Sequence, residues 1–396
     1  MKSGIIGTYF STPSFYKKAL RLALPICLQQ ALNQGASFLD TMMVSHVGGV
    51  GAVTVATQID NLLMLVGFGV NSCILIFASQ FFGAGNRRNL KRCFGLQLLL
   101  NVCIALAFFL LAKLGGTWFL SFFSDDARLI ELAKQYISIS AFSYFFTALI
   151  NGYTFMYRSV QTTKVPMLLG LATNCLNALL NYLLIFGKLG LPALGVRGAA
   201  IATVLSQILS AVFVFTFLHG KAELKVRLLR KDELAESLPL AANIISLGTA
   251  GFIMQLTNSL VSISCNHVLS VTGGDLYISI MTIISSVRQM VETPIYAITE
   301  GSSPIISYNY GARRPEQVKQ ASITMAVMAL IYTLSMWLVI LFAPHFLISI
   351  FSSDASLLTD TIPALKLYFS AFIFMLLQYI GQTMFKSLGK KKQAVF

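Results

Sequence analysis

Charge is what this chain has least of. Of its 396 residues, 11% are Asp, Glu, Lys or Arg, and only 15 are acidic, where an ordinary soluble domain carries about 25% charge. Apolar residues make up 56% and mean hydropathy is +0.74, which excludes a soluble globular fold and points to an all-α polytopic membrane protein. The chain has no G-x-x-x-x-G-K-[ST] phosphate loop and its four histidines do not cluster, so it does not hydrolyse ATP. Six cysteines (Cys27, Cys73, Cys93, Cys103, Cys175, Cys265) form no C-x-x-C pair and lie in or beside apolar runs, which reads them as small core residues. No cofactor is expected beyond H⁺ or Na⁺, and the polar start, Met1 to Lys18, is not read as a cleavable signal peptide.

What is present is a succession of long runs poor in charge: 22–47, 61–86, 94–112, 135–157, 165–187, 198–218, 237–274, 321–353 and 367–385. With the segment 275–312, which carries three charges beyond its first residue, Asp275, they give ten expected helices, and Gly48-Gly49 and Gly273-Gly274 read as tight turns. The net charge of +14 would suggest nucleic acid in a soluble protein; here its placement explains it. Lys17/Lys18/Arg21, Arg87/Arg88/Lys91/Arg92, Arg158/Lys164, Lys221–Lys231, Arg313/Arg314/Lys319 and Lys386–Lys392 fall on alternate connections. The positive-inside rule then places the N-terminus in the cytoplasm and the chain in the cell membrane. The run 22–47 holds one formal charge, Asp40. A carboxylate inside such a span is costly, and two readings stand: an ion or proton site, or an acid paired to a neighbouring helix for packing.

The chain also repeats. Ser121-Phe122-Phe123-Ser124-Asp125-Asp126-Ala127 matches Ser349-Ile350-Phe351-Ser352-Ser353-Asp354-Ala355 at an offset of 228, as do Phe82-Gly83-Ala84 with Tyr310-Gly311-Ala312 and Arg158-Ser159 with Lys386-Ser387. Nearer the start the offset is 225, pairing Gly48-Gly49 with Gly273-Gly274. An even number of helices per unit gives parallel repeats: a six-helix lobe over 1–222, a cytoplasmic linker over 223–236, and a four-helix lobe over 237–396. The chain stops four residues past position 392, the counterpart of Lys164, so the last two helices of a twelve-helix arrangement are expected to be missing.

Leu39-Asp40-Thr41, Gly83-Ala84-Gly85, the stretch 177–187 (NALLNYLLIFG), Gly198-Ala199-Ala200-Ile201-Ala202-Thr203 and, most specifically, 301–312 (GSSPIISYNYGA) resemble the multidrug and toxic compound extrusion transporters, with a second half most similar to their MepA-like branch. The resemblance implies twelve helices in two lobes and cation-coupled export of organic cations by one copy of the chain. The family's ion site, carried over, falls on Asp40, Asn177, Asn181 and Thr203, with Asn181 where the family has a second acid. The depths agree. Asp40 lies eight residues before Gly48, Asn181 seven before Lys188, Thr203 six after Arg197 and Asp60 nine after Gly51, while Asn177 and Asn181 share one helix face. A helix–helix clasp is the alternative reading of these amides.

On the eighth expected helix Arg288 and Glu292 are spaced for a local ion pair, and Glu300 lies two turns on without a basic neighbour. Met254, Gln255, Asn258, Met281, Met290, Tyr296, Tyr308 and Tyr310 are candidates for the walls of a drug chamber, the aromatics through cation–π contact, although lipid-facing or core packing competes for each Met. With one acid fewer than the family's sodium site, protons are favoured over sodium, carried first by Asp40 and second by Glu300. The rival readings are a lipid-linked precursor flippase of the same superfamily, a channel, and a degenerate membrane protein that does not transport.

Overall fold

The structure, a computed structural model, describes residues 13–218, 231–351 and 355–395; the side chains of several positions over 250–275, among them Met254, Gln255 and Asn258, also lie outside the description. Among the described residues the elements are α1 (Pro13–Ser45), α2 (Val50–Gly83), α3 (Arg87–Leu114), the short α4 (Gly116–Leu120), α5 (Ala127–Ser140), α6 (Ser143–Ser159), α7 (Lys164–Phe186), α8 (Gly195–Phe213) running into a π-turn (Val214–Leu218), α9 (Lys231–Gly311), α10 (Pro315–Phe342), α11 (Pro344–Ser349), α12 (Ala355–Tyr368), α13 (Phe372–Ser387) and α14 (Lys391–Val395). No strand occurs among them. By length and composition six stretches among the described residues are able to cross a membrane: α2, α3, α7, α8 through Thr216, α10, and Asp360–Ser387.

Local chemistry sets the ends. Asp126 caps α5 by accepting from the amides of Arg128 (2.9 Å) and Leu129 (3.3 Å), and Asn86 caps α3 by accepting from Asn89 N. Pro315 and Pro344 open α10 and α11, where a missing N–H costs nothing. The turn expected at Gly273-Gly274 is a break within α9: Gly274 adopts φ 59°, ψ −149°, a conformation reserved to glycine, and divides the element into 231–273 and 275–311. Residues 231–236, placed in the linker from sequence, are the first turns of α9, whose Asp232 and Glu233 suit a helix N-terminus.

Three runs expected as single helices are divided. The run 321–353 breaks at Ala343, ahead of Pro344. The run 135–157 breaks at 141–142, and 367–385 at the 3₁₀ turn Phe369–Ala371. At these last two sites a side chain takes a carbonyl that a straight helix would use itself. Lys113 Nζ donates to Ser138 O at 2.6 Å, and Trp337 Nε1 donates to Phe369 O at 3.2 Å. Hydropathy is blind to such a device.

The repeat survives at the level of elements. Adding 228 to α3 (87–114) gives 315–342, the bounds of α10, and adding it to α5 (127–140) gives 355–368, the bounds of α12. Even single hydrogen bonds recur: Ser79 Oγ donates to Ser159 O (3.0 Å) and Ser307 Oγ to Ser387 O (3.1 Å).

Two compact units emerge, one of residues 28–248 and one of 249–396 with the chain through Cys27, so α1 and α9 each contribute to both. In the first, Ala56, Ile59, Ala105, Leu120, Ile137 and Ala200 are at most 1% exposed and form one core. The first turns of α9 belong to this unit, where Glu236 pairs with Arg88 and Arg92. In the second unit, Val287, Val291, Ile340, Ile348 and Leu365 form one core, and Ala19 and Leu22 of α1 pack with Ile305, Ile306 and Met325 in another.

Candidate functional site

Four helices of the first unit converge on Asp40. Because Asn177 and Asn181 stand one turn apart on α7, both reach the same carboxylate. Asn181 Nδ2 donates to Asp40 Oδ1 at 2.6 Å, and Asn177, with its amide nitrogen turned to the acid as its neighbours require, donates to both Asp40 oxygens at 3.2 Å. Asn181 is 2% exposed, and its Oδ1 accepts no hydrogen bond among the described residues. Thr203 on α8 donates to Ala199 O (3.0 Å) and lines the same cavity as Tyr136 of α5. α8 reaches this close because Gly198 lies against the backbone of α7: a Cβ there would fall 2.5 Å from Leu184 O.

These groups line a cavity of about 340 Å³ with Asp60 of α2, Ser37, Thr41, Thr54, Thr57 and Asn61. Asp60 accepts from the Tyr144 hydroxyl at 2.6 Å. The lining therefore holds two carboxylates, amide and hydroxyl oxygens, and no lysine, arginine or histidine. Such a site suits a proton or a small monovalent cation; no cluster of three or more His, Cys, Asp or Glu occurs among the described residues.

Of the candidates named from sequence, Asp40, Asn181, Thr203 and Asp60 line this one cavity, with Asn177 hydrogen-bonded behind it. Tyr136, 6% exposed, and Tyr144, 2% exposed, were missed. The available signal was the repeat itself, since their counterparts 228 residues on are Ala364 and Phe372, polar groups set against apolar ones.

The second unit is arranged differently. Arg288 Nε lies 3.8 Å from Glu292 Oε1, and Tyr379 OH donates to Glu292 Oε2 at 3.4 Å. Glu300 is half-buried and forms no ion pair among the described residues. The candidates for a drug chamber do not come together. Met281 lines a largely apolar cavity of about 640 Å³ with Tyr277, Asp360 and Tyr368; Met290 and Tyr310 are exposed; Tyr296 is half-buried; and the Tyr308 ring has Lys18 Nζ 5.9 Å from its centroid. The reason is pitch: 27 residues separate Met281 from Tyr308 on one helical arm, about 40 Å at 1.5 Å per residue. The side chains of Met254, Gln255 and Asn258 lie outside the described residues.

The fold is shared with solved transporters. A multidrug resistance MATE family transporter of the MOP superfamily in an outward-facing conformation superposes with a TM-score of 0.84 at 18% identity, covering 100% of this chain and 87% of that one. A MOP superfamily transporter from Pyrococcus furiosus, described as having a binding pocket of reversed polarity, gives 0.80 at 20% identity over the same shares. In sequence, the chain is 23% identical over 348 residues to the probable multidrug resistance protein NorM of Thermotoga maritima (87% of this chain, 74% of that protein). It is 27% identical over 311 residues to the probable NorM of Photorhabdus laumondii (76% of this chain, 66% of that protein). The family model MatE matches residues 25–183 and 251–396, and the chain belongs to that family of multidrug and toxic compound extrusion transporters, which are membrane transporters and not enzymes.

Proposed function

We propose that this chain is an alternating-access antiporter of the cell membrane, N-terminus cytoplasmic, that exports lipophilic organic cations in exchange for protons. Its two lobes are parallel repeats, and the chain acts as a monomer. The observation that carries the reading is the Asp40 carboxylate held by Asn177 and Asn181 beside an Asn181 oxygen with no donor. A protonated Asp40 becomes a donor, and rotation of the Asn181 amide supplies the acceptor. The proton is thus held by a rearrangement of two side chains. Protons are favoured over sodium because amide N–H donors, which a metal cation cannot use as ligands, face both Asp40 oxygens. The cavity lining has no basic group, which an anionic lipid precursor would require. Glu300, half-buried and without an ion pair among the described residues, is assigned the contact with the cationic substrate.

Ethidium efflux from cells expressing the protein tests this. Asp40→Asn keeps the shape and removes the titrating group, so efflux falls to the background of cells lacking the transporter while the amount inserted in the membrane is unchanged. Efflux retained in Asp40→Asn removes the basis of the proposal.

A further inference from the structure

Asp60 presents a problem that Asp40 alone does not solve. It lies ten residues into α2, about 15 Å along the helix, where an ionised carboxylate is expensive unless paired. Its counterpart at the repeat offset is Arg288, and there the second unit holds an acid and its own cation together, Glu292 with Arg288. Asp60 has no such partner among the described residues. The groups facing it are the Tyr144 hydroxyl, which donates to it, and Tyr136, which feels the charge of both Asp60 and Asp40. The rest of the shared cavity supplies neutral hydroxyls, an amide pair and apolar side chains. A packing role for Asp60 would need only an acceptor for Tyr144, which an asparagine or a backbone carbonyl supplies without charge. The charge itself is left for an exchangeable cation.

We infer that Asp60 is a second proton-holding carboxylate of the cavity, and that each cycle exchanges two protons for one substrate cation. This rests on the antiport reading above and moves the second charge from Glu300 on α9 to Asp60 on α2. The absent acid at position 181 is then compensated from another helix: Asp40 on the amide side of the cavity, Asp60 on its tyrosine side. Tyr144 OH gives Asp60 one hydrogen bond in the charged state. When Asp60 takes a proton on Oδ2, Tyr144 OH still donates to Oδ1.

The stoichiometry is measurable in proteoliposomes with ethidium, the membrane potential being clamped at zero and a proton gradient of one pH unit imposed. Exchange of two protons accumulates ethidium about 100-fold, and exchange of one about 10-fold, since each proton contributes one factor of ten. Wild type is expected at the higher ratio and Asp60→Asn, which still accepts from Tyr144, at the lower. Accumulation by wild type responds to an imposed potential, and that by Asp60→Asn does not. If Asp60→Asn inserts but does not transport, protons released on ethidium binding to the detergent-solubilised protein decide: two in wild type, one in the variant. A ratio unchanged by Asp60→Asn, a wild-type ratio of about 10, or an equal proton count would each overturn the inference. Asp40→Asn that retains full gradient-driven accumulation would defeat the antiport reading beneath it.

Discussion

At the residue scale, an acid within an apolar helix stands out because so few residues around it carry charge, and that made Asp40 legible before any coordinates, while Asn177, Asn181 and Thr203 were named through the resemblance to the transporter family and their similar depth. Tyr136 and Tyr144 were not legible, because an aromatic in an apolar run is usually core. The wall around these groups depends on a close approach that sequence also hides. Gly198 sits where a Cβ would fall 2.5 Å from Leu184 O and 2.7 Å from Leu184 C. Both obstacles are backbone, so Gly198→Ala pushes α8 away from α7 and carries Thr203 with it. Overpacking of this kind costs about 1–3 kcal/mol. The expected outcome is a lower thermal unfolding midpoint in detergent together with impaired efflux; a variant as stable and active as wild type would show that the helices part without cost.

At the element scale, helix positions follow hydropathy closely and helix interruptions do not. The Gly273-Gly274 turn could be read because glycine alone tolerates the backbone found there. The breaks at 141–142 and 369–371 could not, because their cause is a donor from another helix, Lys113 or Trp337. Repetition is the better guide at this scale, since equivalent elements carry equivalent clasps. Ser79 on α2 and Ser307 on α9 each close a buried hydrogen bond to the end of a helix, at Ser159 O and Ser387 O. Each of Ser79→Ala and Ser307→Ala is expected to lose about 1 kcal/mol. The double variant should lose about 2 kcal/mol, because the two sites lie in separate compact units and share no partner. Chemical denaturation in detergent reads all three; a double variant no less stable than either single one would mean that the clasps are energetically coupled.

At the scale of the whole molecule, the two halves share bounds and clasps yet differ in electrostatics. Where the first half places Asp60 and Met64, the second places Arg288 and Glu292, so the acid at this position of the second half carries its counter-ion with it, whereas Asp60 has none among the described residues. That asymmetry is the physical ground for assigning ion coupling to the first half. It also explains why a substrate chamber was harder to read: its candidates were chosen by residue type along α9, and helix pitch spreads them over about 40 Å. The central claim, proton coupling through the Asp40 cavity, is tested most directly by ethidium efflux from vesicles in which a proton gradient and a sodium gradient are imposed separately. Efflux that follows the proton gradient, is indifferent to sodium and is lost in Asp40→Asn is the predicted result. Efflux that follows the sodium gradient and ignores the proton gradient would contradict it.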